Sequence, residues 1–445
     1  MLEKIKLTNF KSFGNLEADF TSSLNKPKKL IMIYGENGSG KSNFVSSILF
    51  LKNTFNTFSL QEYLNKIIQN DVINEYDEEL IKNIIRTKKV NLFDEIKNYK
   101  MIESNGTMSL EFTFTYNDNS SKEAIYKMEF DNQQIIFESF YCQLEKNLVL
   151  AFEITNNEIH LSNSLFINKN YEKEIKDKIY KFFGKHSFLS ILFNEIKQNN
   201  LKFINDSISN SFLKAIEELD NCSVWYKNID HVEMPTNNNH ILYHLSNGMI
   251  EKKELNKLKE LEEALNNYFT SLYSDIKGVH YELNEENNKI SYTLYFDKII
   301  NQNIRSIPYL MESTGTMKLL TLFLYINRCI VSNETVFIDE IDSGIHDILM
   351  NYLLLNLEKE IKGQLIITTH NTLLLQKLNP EYSYVINVDI NGNKSLNCIK
   401  DFGRIQKNHN LTTRYLNGVF GGIPQPGYLD LQEIMSSINM GSDQH

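Results

Sequence analysis

Apolar residues in this chain change period from segment to segment, and each period predicts a different element. Leu110, Phe112 and Phe114 alternate with Glu111 and Thr113, and Tyr126, Met128 and Phe130 repeat the alternation, which predicts two half-buried strands. Three short runs are apolar without alternation, at 31–34, 336–338 and 365–367. Bounded by glycine, acid or histidine, they predict strands buried on both faces, as in a parallel sheet. Elsewhere the period is helical: Ile175, Ile179 and Phe183 share one face, as do Phe212, Ile216 and Leu219, then Leu255, Leu258, Leu265, Phe269 and Leu272. A helix-like run also spans 317–331, and 60–86 reads as a small helical lid. The expected class is α/β, with a first half at 1–165 carrying a lid at about 55–100, an inserted helical lobe at 166–275, and a second half at 276–445.

The chemistry gathers where the buried strands end. The first runs into Gly35-x-x-x-x-Gly40-Lys41-Ser42, a spacing that lets backbone N–H groups curl round phosphate oxygens above a helix N-terminus. Gly35, Glu36, Asn37, Gly38, Ser39, Gly40, Lys41, Ser42 and Asn43 form the expected cradle, Lys41 reaching the β- and γ-phosphates of ATP and Ser42 ligating Mg²⁺. The second strand ends in Asp339, placed to hold Mg²⁺, and Glu340, placed to polarise an attacking water. The third ends at His370, whose neutral imidazole would hydrogen-bond the γ-phosphate or the attacking water. Ligands gather at the carboxyl ends of parallel strands, so Lys41, Asp339, Glu340 and His370 are expected to converge.

Glu312-Ser313-Thr314-Gly315-Thr316, just before the 317–331 run, makes a family resemblance specific. It resembles the signature motif of ATP-binding-cassette ATPases in the Ser-x-Gly form of the SMC, RecF and OLD types. The resemblance implies that Ser313, Gly315 and Thr316 bind the γ-phosphate held by a second protomer, giving a head-to-tail ATP-sandwich homodimer or a higher oligomer, and that Asp342-Ser343-Gly344 crosses that interface. It also implies a P-loop cassette-type head, a mixed parallel core sheet with an antiparallel flank. The opening residues, the ESTGT stretch, IDEIDSGIHD and the terminal RYLNGVFGGIP are similar to bacterial anti-phage ATPases of the AbiL, PARIS and RloA-like kinds, covering about the first fifty and last hundred and thirty residues. Those relatives imply a slowly hydrolysing sensor or regulator of a separately encoded effector, such as a Toprim-type nuclease. Gln133 and Gln134 are the candidates by location for the Mg²⁺-sensing glutamine of this class, and Glu138 resembles a recurrent acid of the family.

Composition trims the alternatives. With 46 basic and 56 acidic residues the formal charge is −10, which disfavours a broad DNA-binding face, although patches at Lys26, Lys28 and Lys29 or at Lys252–Lys259 stay open. A charged helix from Ile250 to about Leu272 would reach only ~35 Å, too short for an SMC arm. Cys142, Cys222, Cys329 and Cys398 have neither metal nor disulfide spacing, and no stretch approaches a bilayer span, so a cytoplasmic protein is expected. After His370 no fused nuclease is expected, because Asp389 lacks the acidic pairing of a Toprim site. Two other functions stay open: a RecF- or SMC-like DNA repair ATPase, and a scaffold that binds ATP for stability with incidental hydrolysis.

Overall fold

The computed structural model describes residues 1–69, 92–117, 121–144, 146–226, 244–286, 289–403, 405–406, 410–424 and 427–439. Most of the expected lid at 60–86 lies outside them; its first residues continue α1, Lys41–Gln69.

Strands β1 (Leu2–Phe10), β2 (Phe13–Asp19), β4 (Met108–Asn117), β5 (Ser121–Phe130), β6 (Ile135–Cys142), β7 (Val149–Thr155) and β8 (Ile159–Leu161) form an antiparallel sheet in the order β2-β1-β4-β5-β6-β7-β8. The alternating residues Leu110, Phe112, Tyr126 and Met128 are wholly buried on one face of it. A second sheet runs β17-β16-β3-β15-β14-β9, built from β3 (Leu30–Tyr34), β9 (Cys222–Trp225), β14 (Thr335–Ile338), β15 (Gln364–Thr368), β16 (Ser383–Val388) and β17 (Lys394–Cys398). Its neighbours pair in parallel except β17, which is antiparallel to β16. The unalternating apolar runs are explained here, because this sheet is covered on both faces. Ile31, Ile33, Phe337 and Ile366 enter the core shared with the antiparallel sheet, while Leu30, Met32, Val336 and Leu365 enter a second core.

Helices α2 (Leu92–Tyr99), α3 (Lys169–Phe182), α4 (Phe188–Gln198), α5 (Leu201–Ser207) and α6 (Asn210–Asp220) contribute buried residues to the first core. Helices α7 (Leu255–Leu272), α8 (Thr314–Ile330), α9 (Asp347–Glu360), α10 (Leu374–Lys377) and α11 (Leu411–Leu416) contribute to the second. A last helix, α12, spans Leu431–Asn439.

The stretch expected as an inserted helical lobe at 166–275 is more mixed than its period suggested. Phe212 of α6 meets the Phe140 ring at 5.2 Å and Phe188 meets Phe152 at 4.7 Å, so these helices cover the antiparallel sheet. The chain then enters the parallel sheet as β9, and β10 (Asn247–Glu251) opens a small antiparallel sheet with β11 (Ile276–Glu286), β12 (Lys289–Ile300) and β13 (Asn303–Pro308). Periodicity tells which side of a helix is buried and is silent about what buries it. Helix α7 also starts later than Ile250, which is a strand residue, and its 18 residues span ~27 Å. Among the described residues no helix is long and apolar enough to cross a membrane.

Glu138 acquires a structural role. It is fully buried on β6, and its Oε2 accepts from Phe188 N at 2.5 Å while Oε1 accepts from Leu189 N at 3.2 Å and Tyr126 Oη at 2.8 Å. The carboxyl therefore caps α4, an anion at a helix N-terminus. Burial nonetheless pushes it up to about 7 from 4.5, against the opposing pull of those three donors. The folded protein thus holds this proton to higher pH than the unfolded chain, and stability falls as pH rises from 4.5 to 7, by about 3 kcal/mol in full. Nearby His186, which bridges Thr57 and Gln61, is pushed down to about 4 from 6.5 by burial, so its contribution has the opposite slope and is gained as pH rises through that window. Urea midpoints of Glu138→Gln and wild type separate the two. The variant gains on the wild type by about 2–3 kcal/mol between pH 5 and pH 8, and a difference that ignores pH would show that Glu138 titrates normally.

Candidate active site

The cradle follows directly from β3. Gly35 and Ser39 are buried, Glu36 is half-buried, and Asn37 and Gly38 form the exposed tip. Lys41, the first residue of α1, is buried, and its Nζ donates to Gly35 O at 2.7 Å and Glu36 O at 3.0 Å. Burial lowers its proton affinity, and the carboxylates of Asp339, Glu340, Asp342 and Glu36 pull the other way. Ser42 is half-buried beside it, and Asn43 Nδ2 donates to Ser12 Oγ at 2.8 Å, tying α1 to the β1–β2 turn.

The acids stand at the tip of β14. Asp339 is 1% exposed, its N–H donates to Trp225 O at 2.8 Å, and its Oδ1 accepts from Thr368 Oγ1 at 2.7 Å. The same Thr368 hydroxyl accepts from Glu340 N at 2.7 Å, so one side chain at the end of β15 locks both acids. Glu340 takes a left-handed φ of 49°, costly for a residue with a Cβ and held here by contacts to its own backbone. Lys318 of α8 supplies another, its buried ammonium donating to Glu340 O and Ser343 Oγ. Burial pushes Lys318 down to about 8, although Asp342, Glu340 and Asp339 oppose the shift. Asp342 Oδ2 accepts from His370 N at 3.0 Å. The His370 imidazole is lowered from 6.5 by burial and by Lys41, despite Asp342, Glu340 and Asp339, which favours its neutral form near pH 7.

Lys41, Asp339, Glu340, Asp342 and His370 thus share one edge, at the carboxyl ends of β3, β14 and β15. Ser39 Oγ, Asp339 Oδ2 and Asp342 Oδ1 are buried there with no hydrogen-bond partner among the described residues. Unmatched buried oxygens beside a lysine and a helix N-terminus fit a hydrated divalent cation with a polyphosphate.

Among the described residues no hydrogen bond joins the Ser313 stretch to Lys41. Ser313 caps α8 by accepting from Thr316 N at 3.1 Å, and it is exposed with Thr314, whereas Gly315 and Thr316 are buried. Glu312 turns inward to Lys298 at 2.7 Å. A Cβ on Gly315 would lie 2.4 Å from Gly344 O, so this glycine lets the helix end close on the 340–344 turn. The exposed N-terminus of α8 therefore adjoins the turn that carries Glu340 and Asp342.

Several site features were not read from the sequence. Thr368 and Lys318 carry no local signature, although a lysine within the apolar 317–331 run was a visible oddity. The RYLNGVFGGIP stretch lies against the cradle. Phe420 is fully buried, Tyr415 Oη donates to Gly422 O at 3.0 Å, and the Tyr415 and Tyr34 rings are 5.7 Å apart. Gly422, at φ 65°, would place a Cβ 2.3 Å from Val385 Cγ1 and 3.4 Å from Gly35 Cα. Gly422→Ala is expected to destabilise the protein by ~1–3 kcal/mol and to weaken nucleotide binding by displacing Gly35. Thermal melting with and without Mg·ATP reads both effects, and an unchanged nucleotide-induced shift would uncouple the tail from the cradle.

Other candidates fall elsewhere. Gln133 is exposed and Gln134 half-buried in the β5–β6 turn, both N–H groups donating to Asp131 Oδ1 at 2.7 and 2.8 Å. The basic patch left open at Lys26, Lys28 and Lys29 is broken up by folding: Lys28 is buried on Tyr384 Oη at 2.6 Å and Lys29 donates to Ile361 O at 2.9 Å. Lys252 and Lys253 pair with Glu285 and Glu251.

Comparison with known proteins identifies the family. Residues 1–391 match the family described as the RecF/RecN/SMC N terminal domain. The chain is 25% identical over 419 residues to endonuclease GajA of Bacillus cereus, covering 84% of this chain and 58% of that protein, so it spans little more than half of that relative's length. It is 25% identical over 412 residues to a "Retron Vc95 probable ATPase" of Vibrio cholerae, covering 87% of this chain and 73% of that one. An ATP/GTP phosphatase of Helicobacter pylori is 20% identical over 404 residues, with 85% and 88% covered.

Proposed function

The chain belongs to the RecF/RecN/SMC N terminal domain family, and from that premise we propose that it is an Mg²⁺-dependent ATPase whose heads associate around ATP. The observation that carries this reading is the convergence of Lys41, Asp339, Glu340, Asp342 and His370 on one sheet edge with unmatched buried oxygens between them. Gly35 to Asn43 cradle the phosphates, and Lys41 leaves its carbonyl partners to bind them. Ser42 and Asp339 would hold Mg²⁺, which supplies neutralisation of the phosphate charge. Glu340 accepts the proton of the attacking water, its carboxylate aimed by the Thr368 and Lys318 contacts to its backbone. Neutral His370 hydrogen-bonds the phosphate edge. Ser313, Gly315 and Thr316 act on the partner protomer's nucleotide, and Asp342 lies at the same seam. What supports a trans role is that the N-terminus of α8 is exposed, adjoins the turn after Glu340 and, among the described residues, makes no hydrogen bond to Lys41.

One relative is named an endonuclease and two carry names for nucleotide hydrolysis. With the anti-phage resemblance of the motifs, this supports a switch that holds or releases a nuclease effector supplied by a separate chain. ATP-bound and released heads are then the two states, and Glu340 sets how long the first lasts. Light scattering of Glu340→Gln with and without Mg·ATP tests it. ATP-driven doubling of mass is the expected result, and a mass indifferent to ATP would favour the ATP-stabilised scaffold.

A further inference from the structure

Lys394 opens β17, where the β16–β17 hairpin brings the chain back to the cradle. Its Nζ donates to Gly38 O at 3.0 Å, on the exposed tip of the cradle, and lies 5.8 Å from the centre of the Phe13 ring. That ring closes the other end of the turn, since a Cβ on Gly40 would come 2.9 Å from it. Lys394 is half-buried, and among the described residues no carboxylate forms an ion pair with it. Burial lowers its proton affinity, and Glu36 is the acid that opposes this. Lys41 stands in the same circumstances, its ammonium parked on the carbonyls of Gly35 and Glu36 and partly stripped of water. A cation that gives up hydration for a carbonyl dipole is poorly compensated, and an anion brought to the cradle supplies the missing countercharge.

We propose that Lys394 is a second cationic anchor for the nucleotide, binding a polyphosphate oxygen from the Gly38 side of the cradle. The inference rests on the nucleotide-binding reading above and adds to it a residue more than 350 positions from the cradle in the chain. Nothing near Lys394 in sequence marks it, because the hairpin turn around Asp389 is unremarkable and the approach exists only after β16 pairs with β3.

Calorimetric titration of Mg·ATP into wild type, Lys394→Met, Lys394→Gln and Lys394→Arg, at low and high salt, decides the matter. The two neutral variants are expected to bind about tenfold more weakly at low salt, and their affinity to depend less steeply on salt. Lys394→Arg should stay near wild type, and melting without nucleotide should be unchanged in all. Wild-type affinity in both neutral variants, or a loss equal at every salt concentration, would overturn the anchor while leaving the ATPase reading in place. A wild type that binds no Mg·ATP would overturn both.

Discussion

Glu340→Gln slows ATP turnover by ~10²–10⁴-fold while leaving Mg·ATP binding and ATP-driven association in place. The effect is that large because the neighbouring acids have other work: Asp339 and Asp342 each give one oxygen, to Thr368 and to the His370 N–H respectively, and the proposed reading leaves the free oxygen of Asp339 to the cation. The fold should survive, since the bonds that hold residue 340 in its left-handed conformation run to its main-chain N–H and carbonyl and need no side-chain charge. Glutamine keeps the shape and hydrogen-bonding reach and loses only the ability to accept the proton. Phosphate release measured against protein concentration gives the rate. Turnover within about threefold of wild type would remove Glu340 from the chemistry, the effect of a general base being far larger.

Lys41→Ala and Ser313→Arg should fail in different ways. Without Lys41, the carboxylates of Glu36, Asp339, Glu340 and Asp342 face the incoming phosphates with their cation gone, and Mg·ATP affinity should drop at least about 100-fold. Ser313→Arg removes a helix cap, costing ~1 kcal/mol of stability, and fills the exposed N-terminus of α8 with a bulky side chain. Because Ser313 bonds to its own helix end and not to Lys41 among the described residues, binding by a single protomer should stay within a fewfold of wild type while the ATP-driven dimer is lost. Nucleotide titration and light scattering on both variants separate the cases. Equal losses of nucleotide binding would place Ser313 in its own protomer's cradle and end the trans assignment.

The contrast between those residues and the ones missed shows where local information stops. A phosphate cradle is a contiguous device, strand then glycine turn then helix, and its geometry follows from the φ freedom of its glycines and the register of twelve residues or so. The strand-tip acids and His370 are legible for the same reason, since an apolar run buried on both faces leaves its carboxyl end as a place for ligands. The alternating strands around Phe112 and Tyr126 were equally plain, because side-chain direction in a strand depends on neighbours two positions away.

What only the tertiary structure decided is which distant residues support the site. Thr368 locks the two acids, Lys318 holds the Glu340 carbonyl, Gly422 leaves room beside Gly35, and Lys394 reaches Gly38. Each is an ordinary residue in its own segment, and its role comes from pairing across the sheet or packing between segments far apart in the chain. The same limit explains β9, a short buried strand within a region of helical period, and Lys28, a surface-type residue that folding turns onto Tyr384. Sequence determined which residues stand at each strand end, because that is set by bonds and dihedrals within a few residues. Packing decided which strand ends meet and what holds them, because that depends on contacts no local pattern encodes.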